Sequence, residues 1–106
     1  DGPIATAITT VPKTSNYTIA ASDSTILMDA QNGPVTITLP TASGITGRIY
    51  VIKSLNSASV ADVAADGSET IDGSGTNVAL MTDESVILQS EGSGWVKIAG
   101  FTPPPP

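Results

Sequence analysis

The sequence predicts an all-β fold: a compact antiparallel β-sandwich, or a β-barrel or prism, of about eight short strands. Two observations predict it, and a third bears on how its core is filled. Apolar and polar residues alternate with a period of two almost throughout, where a helix would show 3.6. The alternating runs are short and evenly spaced, with Gly, Asn, Asp and Ser between them. The aromatic residues are few (Tyr17, Tyr50, Trp95 and Phe101), so Val, Ile, Leu and Ala must fill the core.

Taken in order, "IATAITTV" (4–11) reads as a first strand or extended arm, and "NYTIAAS" (16–22) and "STILMDA" (24–30) alternate in turn. Asn32-Gly33 favours positive φ and so a tight hairpin. In "PVTITLP" (34–40), Val35, Ile37 and Leu39 share one face, Thr36 and Thr38 the other, and Pro40 ends the ladder because it cannot donate. "RIYVIKS" (48–54) carries Ile49, Tyr50, Val51 and Ile52 in a row, which predicts a central strand covered on both sides. "ASVADVAA" (58–65) is β-compatible, although the Ala-rich "SASVADVAADGSE" also admits a helix. "ETIDG" (69–73) is a very short strand and "NVALMT" (77–82) the next. "SVILQSEG" (85–92) and "GWVKIAGF" (94–101) close the domain through a Gly-Ser-Gly turn. The organisation expected is an N-terminal arm or docking segment (1–15), a β-domain (16–101) and a polyproline tail (102–106). The chain opens on Asp1 rather than Met, as a processed product or a piece of a longer chain would.

The formal charge is −6, with Lys13, Arg48, Lys53 and Lys97 the only cations. Such a chain repels phosphate, so neither nucleic acid nor an anionic membrane surface is an expected partner. There is no cysteine and no histidine, hence no disulfide framework and no thiolate or imidazole chemistry. No apolar run reaches the ~18 residues of a helical membrane span.

Acid–base chemistry would need paired carboxylates. Asp23 with Asp29, the group Asp66, Glu69 and Asp72, and Asp83 with Glu84 are the candidates, and all sit at strand ends or turns, where Asp commonly caps its own backbone. No nucleophile–base pair or phosphate loop accompanies them, so no enzyme, catalytic residue or cofactor is expected. Asp66, Glu69 and Asp72 offer oxygen ligands of the kind calcium takes, but their spacing matches no EF-hand loop, so they are weak calcium candidates. Trp95, after "EGSG", is either a core residue with its N–H on a carbonyl or a candidate glycan or partner contact.

The order of "YTI" (17–19), "VTITLP" (35–40), "GR" (47–48), "IDG" (71–73) and "SEGSGW" (90–95) resembles a small β-domain of tailed-phage tail fibres, spikes and head fibres, over about residues 16–100. Similar modules occur in bacterial surface proteins. The resemblance implies a virion appendage or capsid-decoration component, a homo-oligomer with a trimer favoured, in contact with other virion proteins and in some cases a host-surface glycan. It supplies no catalytic residue. The chain lacks the heptads, collagen repeat or β-helix stalk of a long fibre. Ile4, Ile8, Val11, Phe101 and Pro103 are the expected assembly positions, and Arg48 is expected to pair with a carboxylate. Two alternatives remain. One is a subunit of an extracellular filament that polymerises by β-strand addition. The other is a glycan-binding surface module.

Overall fold

The computed structural model describes residues 11–103, and every regular element among them is a strand. In chain order these are β1 (Tyr17–Thr18), β2 (Thr25–Asp29), β3 (Val35–Thr38), β4 (Ile49–Asn56), β5 (Ala61–Ala64), β6 (Val78–Ala79), β7 (Ser85–Ser90) and β8 (Trp95–Phe101). They form two four-stranded sheets, β1-β3-β5-β6 and β2-β4-β7-β8. Burial alternates residue by residue along β2, β3, β5 and β7, as the period-two pattern requires. One sheet sends Ile26, Met28, Tyr50, Ile52, Val86, Leu88 and Trp95 inward, and the other sends Val35, Ile37 and Val63 to meet them. Each such aliphatic side chain contributes about 1.5–3 kcal/mol by leaving water. The Ala-rich 57–69 segment forms β5 and a turn, with no helix.

The sheets are mixed, which corrects the antiparallel expectation. β1, β3 and β5 lie parallel in one sheet, and β2 and β4 lie parallel in the other. Only β4-β7-β8 and β5-β6 are antiparallel. The cause is the path of the chain. From β1 to β5 each strand crosses to the opposite layer, so the next strand in the same layer runs the same way. Tyr17 therefore lies beside Ile37, and Ile37 beside Val63. This is a short coil of β-helical winding, closed by an antiparallel unit.

Asn32-Gly33 is one of these crossings and not a hairpin. Asp29 accepts the Gln31 N–H at 3.0 Å and bends the chain out of β2, and Ser59 N–H reaches Ala30 C=O at 2.8 Å, tying the crossing to the approach to β5. The Gly-Ser-Gly turn does join β7 to β8. Gly92 there has φ +100, and an added Cβ would lie 2.8 Å from Thr46 Oγ1, so glycine is required. "ETIDG" forms no strand of its own: Ile71 makes single bridges to Ser74 and Trp95.

β4 is central, between β2 and β7, as expected. Among the described residues a second layer covers one side of it only. Tyr50, Ile52 and Ser54 face the core, while Ile49, Val51 and Lys53 face outward. The end of the N-terminal arm is stitched to β2. Lys13 N–H donates to Leu27 C=O and Asp29 N–H donates to Lys13 C=O, both at 2.9 Å. Val11 and Phe101 are exposed and Pro103 is half-buried, whereas Ile4 and Ile8 lie outside the described residues.

Candidate functional site

The carboxylates hold loops together and do not converge on a ligand. Asp66 accepts the Thr41 hydroxyl at 2.6 Å. Glu69 takes the Ala42 N–H on both oxygens, at 3.0 and 3.1 Å, and Asp72 takes the Lys97 N–H at 2.9 Å. Asp66 and Glu69 are thus both spent on the 41–42 loop and Asp72 on β8, and no cluster of metal-ligating side chains occurs among the described residues. Asp23 accepts the Ala20 N–H at 2.8 Å and Glu84 accepts the Met81 N–H at 2.8 Å, each closing its own turn. Glu69 matters most, because Ala42 is fully buried. Glu69→Ala is expected to cost about 1–3 kcal/mol in urea unfolding, the penalty of an unpartnered buried N–H. Asp66→Ala, at an exposed hydroxyl, is expected to stay within about 0.5 kcal/mol.

Tyr17 donates its hydroxyl to Asp23, and the Lys13 ammonium lies 4.0 Å from the centre of its ring. The bond to Asp23 raises the phenol above its ordinary range, with partial burial and the Asp23 charge acting the same way. Ionisation breaks this bond. Stability from it is therefore complete below the unfolded phenol pKa of about 10 and is lost as pH rises through the raised folded value. Alkaline unfolding should show this decline in the wild type and lose it in Tyr17→Phe.

Trp95 is fully buried, and no face of its indole reaches solvent. Its Nε1–H donates to Pro40 C=O at 3.2 Å and its ring lies 5.7 Å from that of Tyr50. The core reading of Trp95, with its N–H on a carbonyl, holds, and the candidate glycan contact is corrected: the residue joins the end of β3 to the start of β8. Arg48 is also corrected. It donates to the Ala21 carbonyl and lies over the Tyr50 ring at 5.2 Å, with no carboxylate needed. Two shallow hollows flank β6. One, of about 310 Å³, is lined by Val60, Leu80 and Met81, and the other, of about 210 Å³, by Val78, Val86 and Phe101. The one acid in their linings, Glu84, is already committed to Met81.

The two outer faces of the sandwich differ in kind. Strand register places Thr18, Thr38 and Ala64 in one outward row of the β1-β3-β5-β6 sheet and Thr36, Asp62 and Ala79 in the next. That face is polar or small. On the β2-β4-β7-β8 sheet the outward rows are Ile49–Gln89–Val96, Thr25–Val51–Ile87–Ala99 and Leu27–Lys53–Ser85–Phe101. That face is largely aliphatic, with Ile49 and Phe101 among the exposed large hydrophobics at 43% and 52%. Leu27, Val51 and Ile87 lie on this outer face, which the alternation of their strands does not by itself reveal. The signal was nevertheless there, since "RIYVIK" was apolar on both faces. No family model matches the chain, and no curated protein matches it.

Proposed function

We propose that this protein is a structural module of a virion, a phage fibre, spike or capsid-decoration domain, that works by being built into an assembly. One observation carries the reading. β4 is written as a strand buried on both faces, yet the described residues supply a layer on only one. A contiguous apolar sheet face of this kind marks an interaction surface. The virion setting rests on the resemblance of residues 16–100 to phage appendage domains. Host-glycan contact through Trp95 has no support, because the indole is enclosed.

The test is co-purification. Particles banded from a lysate of the source culture are probed with an antibody raised against this chain. The reading predicts signal in the particle band at a constant ratio to the major capsid protein. Signal confined to the soluble fractions overturns it.

A further inference from the structure

We infer that the outer face of the β2-β4-β7-β8 sheet is the contact between copies of this chain, sheet face against sheet face. The inference rests on the assembly reading above and names its first partner.

The outline of the patch argues for the occupant. It spans four strands, about 14 Å from first to last, so an added peptide about 5 Å wide would leave most of it wet. Another sheet fits it, because sheets pack face to face at about 10 Å through such aliphatic side chains. Of the two outer sheet faces among the described residues, this is the one of that character, and a second copy presents the same one.

Charge points the same way. The chain carries −6, yet this face holds one cation and one anion, Lys53 on β4 and Asp29 on the neighbouring β2. It is locally neutral on an acidic molecule. A basic partner would be drawn elsewhere, towards Asp62, Asp66 and Glu69. A second acidic copy meets least repulsion here.

The edges of the same sheet are poor alternatives. β2 already bonds Lys13 at its open side. β8 carries a register shift, in which Ile87 and Leu88 oppose Ala99 and Lys97, so Ile98 is left over as a bulge. Bulged and covered edges resist strand addition. Contact through the face is therefore favoured over strand addition at the edges of this sheet.

Sedimentation equilibrium of the purified chain tests the inference, with three variants checked for native circular dichroism. Val51→Glu puts a charge at the centre of the face and should weaken association at least about 100-fold. Ile87→Thr is a milder change that keeps β-branching and should weaken it less. Thr38→Glu adds the same charge to the opposite outer face and should leave association unchanged. A wild type that is monomeric up to about 100 μM, well above ordinary micromolar affinities, overturns the inference. So does an oligomer that Val51→Glu leaves intact. Monomers that still enter particles would sink this inference and spare the assembly reading. Self-association without any particle signal would do the reverse.

Discussion

Trp95→Ala should lower unfolding free energy by about 3–5 kcal/mol, a large share of the ~5–15 kcal/mol that holds a domain of this size. The residue is fully enclosed and packs against Tyr50 at an interplanar angle of 48°. Its backbone also receives the chain at 70–72: Trp95 N–H donates to Thr70 C=O, and Asp72 N–H donates to Trp95 C=O, both at 2.8 Å. Removing the ring therefore opens a cavity where β3, β8 and the 70–72 strip meet. Trp95→Phe should recover most of the loss, with about 1–2 kcal/mol still missing because Pro40 C=O loses its donor. Urea unfolding followed by circular dichroism is the measurement, since Trp95 is the single tryptophan and its replacement removes the fluorescence signal. The midpoint should fall with little change in slope. A loss under about 1 kcal/mol would mean that the ring is not enclosed in solution.

Ile37→Ala is the second large effect, at about 2–5 kcal/mol. Ile37 has no solvent exposure and sits mid-sheet, with Tyr17 on one side and Val63 on the other. Ile37→Val removes one methylene and should cost about 0.5–1.5 kcal/mol. Thr36→Ala, one residue away on the outer face, should stay within about 0.5 kcal/mol. The Thr36 N–H still reaches Asn16 Oδ1 at 2.9 Å whatever the side chain. Chemical unfolding of the three variants side by side checks the inward–outward assignment. Equal losses at 36 and 37 would contradict it.

These contrasts show what could be read from the residues. Alternation in "PVTITLP" and "SVILQS" tells which side chains share a face, because successive residues of a strand point opposite ways. It does not tell which strand lies alongside, or in which direction. Val35, Ile37 and Leu39 would alternate identically beside a parallel or an antiparallel neighbour. The Asn-Gly pair then tipped the expectation towards a hairpin, whereas Asp29 and the crossing to the other layer decide the outcome. The acids between 66 and 72 resembled a ligand set for a similar reason. Their partners Thr41, Ala42 and Lys97 are distant in sequence, so only the folded chain shows where each carboxylate is spent.

The candidate site was half legible. "RIYVIK" announced a strand needing cover on two sides, and one cover is this chain's own core. Among the described residues the other side has no such layer. Trp95, the most conspicuous side chain, contributes by holding β3 and β8 together beneath that face, not by touching a ligand.

The most direct test of this account is the rate at which a thiol on each outer face reacts with a maleimide. The chain has no cysteine of its own, so Ile87→Cys and Thr38→Cys each report one face alone. The account predicts that Ile87→Cys is protected in concentrated protein and becomes reactive on dilution, while Thr38→Cys labels at one fast rate throughout. Equal, concentration-independent labelling at both positions would contradict it.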